Sequence, residues 1–80
     1  MDDISIYPNP ARDALTISFT NPDAEPIHYE IDDVLGRTLT SGETSEPRVS
    51  LSARALPEGV LLLRSSSGGE VQTRQFVVGR

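Results

Sequence analysis

Ile27-His28-Tyr29-Glu30-Ile31-Asp32-Asp33-Val34-Leu35-Gly36-Arg37-Thr38-Leu39-Thr40 reads as a strand, a turn and a second strand. Ile27 to Ile31 alternates apolar and polar, the period of two that marks a half-buried strand. Asp33 opens a turn, because its carboxylate can accept hydrogen bonds from the backbone just ahead of it. Gly36 can take a positive φ without the penalty a Cβ would bring. Thr38-Leu39-Thr40 then resumes as the return strand. The stretch predicts a β-hairpin, with Arg37 projecting just beyond the turn.

The flanking sequence repeats the same grammar. Upstream, Ile4-Ser5-Ile6-Tyr7 is a short strand stopped by Pro8-Asn9-Pro10, whose prolines cannot donate to a ladder. Asp13 to Phe19 is a strand with Leu15, Ile17 and Phe19 on one face and Thr16 and Ser18 on the other. Asn21 to Pro26 is a loop by composition. The hairpin's strands span Ile27 to Asp32, with Ile27, Tyr29 and Ile31 inward, and roughly Arg37 to Ser41. Downstream, Gly42 to Pro47 is a polar connection, and Arg48 to Ser52 is a strand with Val49 and Leu51 inward. Ala53 to Gly59 is cut short as a helix by Pro57 and Gly59, and leaves Leu56 to plug one end of the core. Val60 to Ser65 is the next strand. Its run Val60-Leu61-Leu62-Leu63 predicts a central position with burial on both faces. Ser66-Ser67-Gly68-Gly69 is a hairpin loop, and Glu70 to Val78 is the last strand. About seven short, evenly spaced strands without a helix predict an all-β fold, a small β-sandwich.

Eighty residues make a single domain, residues 1–80, with a thin core and modest stability. There are no cysteines, so packing alone must hold the fold. The net charge is −5, and all seven basic residues are arginine. An acidic domain without a basic stripe is a poor partner for nucleic acid, and it has no polybasic patch for a membrane surface. No apolar run approaches the ~18 residues of a membrane-spanning helix, so direct membrane insertion is not expected. Met1-Asp2-Asp3 begins no signal peptide, so an extracellular role would make this chain a piece of a longer precursor.

Sites of chemistry are sparse. His28 is the sole histidine and sits on the polar face of its strand. A Ser-His-Asp triad would have to use it, and it reads as a solvated strand residue. Asp32-Asp33 and Asp2-Asp3 could offer oxygens to calcium, which needs about six to eight of them from a shaped loop. Neither pair sits in such a loop, and both read as turn capping and surface charge. Gly68-Gly69 precedes a strand rather than a helix, so it is a hairpin turn and not a phosphate cradle. Arg37, Arg64 and Arg74 could each touch a partner, or each be a plain exposed strand arginine. No catalytic residue, metal or cofactor is expected.

Four ordered blocks then carry a resemblance. They are Tyr7-Pro8-Asn9-Pro10-Ala11-Arg12-Asp13 followed by Leu15 and Ile17; Asp33-Val34-Leu35-Gly36-Arg37; Val49 and Leu51 leading to Leu56-Pro57-Glu58-Gly59-Val60; and Phe76-Val77-Val78. Together, over about residues 6–80, they resemble the C-terminal sorting domain (type A) of proteins exported by the type IX secretion system of Bacteroidetes and their relatives. The chain departs from that family at Leu61, where tyrosine is usual, and at Gln75, where lysine is usual. Arg74, one residue earlier, falls on the opposite strand face.

The resemblance implies an immunoglobulin-like sandwich of about seven antiparallel strands that acts as an address rather than an enzyme. Its partners would be outer-membrane type IX translocon components, a sortase-like peptidase that removes the domain, and a fused N-terminal passenger. The route would run through the periplasm to the cell surface or the medium. Candidate recognition residues are Asp33, Gly36, Arg37, Leu56, Pro57, Gly59, Arg74 and Gln75. Gly36, Pro57 and Gly59 stand equally as turn formers and as recognised surface. Arg37, a charge without an evident local need, is expected to serve recognition, and an exposed sheet edge could instead take a partner strand. The rival reading is a generic immunoglobulin-like accessory or adhesion module that binds carbohydrate or protein. A carbohydrate binder would want an aromatic platform, which is hard to build with Tyr7, Phe19, Tyr29 and Phe76 mostly inward.

Overall fold

The computed structural model describes residues 4–19 and 26–79. Seven strands follow in chain order: β1 Ile4–Tyr7, β2 Ala14–Phe19, β3 Ile27–Asp32, β4 Thr38–Thr44, β5 Arg48–Ser52, β6 Gly59–Ser67 and β7 Glu70–Val78. They form a three-stranded sheet in the order β1-β2-β5 and a four-stranded sheet in the order β4-β3-β6-β7. Every strand pair is antiparallel. This is the immunoglobulin-like sandwich, with the fourth strand joined to the edge of the second sheet rather than the first. The expected hairpins β3–β4 and β6–β7 both form. Asn21 to Glu25, read as loop, and the Asp2-Asp3 pair lie outside the described residues.

Two strands outrun their expected ends. β4 continues through Thr44, because Ile27 and Tyr29 of β3 still need ladder partners and take Thr44 and Gly42. Gly42 looks like a breaker, yet Tyr29 lies against it. A Cβ there would meet the Tyr29 ring carbon Cζ at 2.7 Å, so the glycine makes room for the ring. β6 likewise runs through Ser66 and Ser67, paired with β7 down to the two-residue turn Gly68-Gly69. Both glycines there have positive φ, 57° and 86°, the tight turn that matches strand twist.

The inner faces of both sheets enclose one core. Leu15, Ile17 and Phe19 come from β2, Ile27 and Ile31 from β3, Leu61 and Leu63 from β6, and Phe76 and Val78 from β7. Leu56 is buried as the plug, and Ala11 and Ala53 close the sides. Tyr29, Val49 and Leu51 pack against the core from partly buried positions.

Three expectations need correction. β6 is central, but it is not buried on both faces. Leu61 and Leu63 point inward while Val60 is 40% exposed, because the three-stranded sheet covers only one side of the four-stranded sheet that holds β6. Tyr7 is not inward either. It is 44% exposed, since Ile4 and Ile6 take the core face of β1 and period two turns Tyr7 away. Finally, Asp32 is not surface charge. It is 8% exposed, beside Leu62 on the next strand.

The segment after β1 is fastened to the other end of the chain. Ala11 bridges Val78 in parallel. The Ala11 N–H donates to the Val77 carbonyl and the Gly79 N–H to the Ala11 carbonyl, each at 2.8 Å. The Val77 N–H donates to the Asn9 Oδ1 at 3.0 Å. The Tyr7–Pro8 and Asn9–Pro10 peptide bonds are cis.

Candidate recognition surface

The Asp33 turn is held by its own aspartate. The Asp33 N–H donates to the Arg37 carbonyl at 2.9 Å, and the Gly36 N–H to the Asp33 carbonyl at 3.0 Å. Asp33 Oδ1 accepts from the N–H groups of Leu35 and Arg37, each at 2.9 Å. Its Oδ2 takes the Arg37 Nε–H at 2.6 Å. The backbone N–H of Arg37, then the Arg37 guanidinium and the Leu35 N–H, hold the Asp33 carboxyl below its usual range against the opposing effect of burial. Gly36 sits at φ 87° with open space where a Cβ would stand, so backbone conformation and not crowding selects glycine. Arg37 therefore does have a local need, as the ion-pair partner of Asp33. Alternation and turn chemistry do not reveal a pair that forms across the turn's mouth.

The second candidate segment precedes β6. The Leu56 N–H donates to the Ala53 carbonyl at 3.1 Å, which tucks the Leu56 side chain into the core and leaves Pro57 and Glu58 exposed. Gly59 has φ 117° and, like Gly36, no neighbour where a Cβ would stand. Because Asp32 pairs with Leu62, the Asp33 turn lies beside the start of β6. The ladder thus brings the two candidate segments to one end of the four-stranded sheet. Of their side chains, Leu56 and Asp33 are withdrawn from the surface.

Arg74 and Gln75 part company, as their opposite faces require. Gln75 is exposed and pairs with Leu62, which pairs with Asp32, so it shares an outer-face row with the turn end of β3. Arg74 pairs with Leu63 on the core side. Its guanidinium donates to Gln72 Oε1 at 3.2 Å and to the Thr73 carbonyl at 3.1 Å. The structure thus gathers Asp33, Gly36, Arg37, Pro57, Gly59 and Gln75 at one region, and sets Arg74 apart.

Toward the other end of the same outer face lies a shallow open groove that includes His28, Glu43, Arg64 and Ser66. His28 Nε2 meets Glu43 Oε2 at 2.7 Å, with both side chains more than half exposed. Arg64 Nη1 lies 3.9 Å from Glu30 Oε1, and Thr38 Oγ1 donates to Glu30 Oε2 at 2.9 Å. Ser66 is the ladder partner of His28 on β6. Among the described residues no group of His, Asp and Glu converges to hold a metal ion, and Asp33 spends its oxygens on its turn.

The profile of the family described as the secretion system C-terminal sorting domain matches residues 5–79. A search of curated proteins gives no match. Among solved structures the chain is similar to part of PorZ of Porphyromonas gingivalis, described as an essential bacterial surface component of the type IX secretion system. The TM-score is 0.80 at 25% identity, covering 96% of this chain and 11% of PorZ. The chain thus corresponds to about a tenth of that protein's length, and the likeness covers nearly every strand described above. On the match over residues 5–79, this chain belongs to the secretion system C-terminal sorting domain family.

Proposed function

We propose that this domain is a non-catalytic address, read in its folded state by the outer-membrane type IX translocon. It carries an N-terminal passenger from the periplasm to the cell surface or the medium, and a sortase-like peptidase then removes it. The family match over residues 5–79 carries this reading. The physical support is rigidity. A receptor that reads a folded domain gains most from a surface that loses little freedom on binding. The Asp33 turn, locked by five backbone and side-chain hydrogen bonds, is such a surface.

Catalysis has little to work with. His28 and Glu43 are solvated, and the backbone N–H groups of a sheet interior lie in the ladder rather than facing a substrate, so they cannot form an oxyanion site. The rival carbohydrate-binding reading asks for an aromatic platform. Phe19 and Phe76 are buried, which leaves Tyr7 as the one clearly exposed aromatic among the described residues.

The test is a secretion assay. Residues 1–80 are fused to the C-terminus of a fluorescent passenger with an inner-membrane export signal, in a type IX-competent host and in the same host without its translocon. Translocon-dependent appearance of the passenger outside the cell is the expected result. Periplasmic retention of a folded, intact fusion in both strains would overturn the reading.

A further inference from the structure

Asp32 is the one described carboxylate whose burial is not matched by its bonding. It is 8% exposed, and its Oδ1 is buried with no hydrogen-bond partner. Leaving a carboxylate oxygen in that state is costly, because a buried charge needs a donor to replace the water it loses. The chain's own nearby cations are committed elsewhere. Arg37 is held by Asp33 at 2.6 Å, and Arg64 is drawn toward Glu30 at 3.9 Å. Gln75, at the far end of the same row, is neutral.

Asp32 lies between Thr38 and Leu62, on a face that carries several aliphatic side chains. Ile31 points into the core, so Asp32 lies on the outer face of the four-stranded sheet, beside Leu62. On its other side the ladder shifts register: Ile31 pairs with Thr40 and Asp32 with Thr38, which makes Leu39 the extra residue of a β-bulge. Bulges re-aim side chains, and Leu39 is 38% exposed here. Val60 follows Leu62 on the same face at 40% exposed, and the turn after Asp32 presents Val34 at 67% and Leu35 at 77%. Four exposed aliphatic side chains thus neighbour, along the ladder and the turn, a buried carboxylate whose Oδ1 lacks a donor.

We propose that this face is where a protein partner docks, and that the partner brings an apolar segment carrying one basic side chain that pairs with Asp32. The inference rests on the sorting reading and deepens it, since the partner is then a component of the secretion machinery. Charge complementarity selects this occupant. A net charge of −5 and a carboxylate at the centre disfavour both an anionic membrane surface and a second copy of this chain. These aliphatic neighbours help exclude water from the pair, which is the setting in which an interfacial charge pair counts most.

The experiment uses the passenger fusion with three chains: wild type, Asp32→Asn, and Leu35→Ser combined with Val60→Ser. Export is read as passenger outside the cell, and folding as the melting temperature of each purified chain. Asp32→Asn removes a buried charge whose Oδ1 has no donor, at constant shape, so its melting temperature should stay level or rise while export falls about tenfold or more. The double variant alters only exposed side chains and should lose export with little change in melting. Wild-type export by both variants would overturn the docking face and leave the sorting reading intact. A lower melting temperature for Asp32→Asn would make Asp32 a structural residue and overturn the proposal. Self-association of the wild-type chain by analytical ultracentrifugation, abolished by Asp32→Asn, would assign the face to a second copy and overturn it too. So would binding to vesicles of anionic lipid. A wild-type fusion that is never exported would overturn the sorting reading, and this proposal with it.

Discussion

Asp33 and Asp32 are neighbours with opposite fates. Asp33 spends both carboxylate oxygens within five residues, while Asp32 turns to the other side of the chain and finds no donor for Oδ1. Turn chemistry makes the role of Asp33 legible in the sequence, and likewise the need for Gly36. The burial of Asp32 is not legible, because it depends on which strand lies alongside. Asp33→Ala should lower the melting temperature more than Arg37→Ala. The first frees two backbone donors, and the second removes one largely exposed ion-pair partner. The folded-state pKa of Asp33 lies below its ordinary 3.8, so its contribution is complete above the unfolded-state value and is lost as pH falls through the folded-state one. Melting curves of wild type and Asp33→Asn should therefore differ fully at neutral pH and converge below about pH 4. Gly36→Ala, forced to φ 87°, should cost about 1–2 kcal/mol in urea denaturation.

At the scale of elements, alternation located all seven strands but misjudged where β4 and β6 end. Gly42, Ser66 and Ser67 look like breakers by composition, and a ladder partner on the neighbouring strand overrides that preference. The last strand shows a second kind of illegibility. Val77 and Gly79 send their backbone groups away from β6, where Asn9 and Ala11 meet them. Further along the same edge the Thr73 carbonyl is capped by the Arg74 guanidinium. β7 is thus an edge guarded against stray strand pairing. Pro8-Asn9-Pro10 reads as a stop, and nothing local tells that the stop also seals a strand some 68 residues away. Asn9→Ala leaves the Val77 N–H without its acceptor and should cost about 1 kcal/mol. Hydrogen exchange at the Val77 amide should quicken more than at amides inside the β3–β6 ladder.

At the scale of the molecule, the sandwich rests on one thin core. Phe76 is among its largest fully buried side chains. Phe76→Ala should cost about 3–5 kcal/mol, comparable to what a core this small supplies, and circular dichroism should find the variant largely unfolded at 25 °C. Val71→Ser, at an exposed position, should melt within about 0.5 kcal/mol of wild type. Fold class was legible because it follows from local period. The split of the strands between two sheets was not, since it rests on the β2–β5 and β3–β6 pairings, which are long-range and which no short window encodes. The fastening of Asn9 and Ala11 to β7 also bears on mechanics. Suppose tension is applied through the N-terminal junction, as it would be when a passenger is drawn onward. β1 lies antiparallel to β2 and can peel away one pair at a time, starting at Ile4 and Phe19. Ala11 runs parallel to Val78, so the same pull then loads its bonds to Val77 and Gly79, and that from Asn9, together in shear. The domain should yield easily at its first strand and then resist at the clip, keeping the surface opposite intact under load.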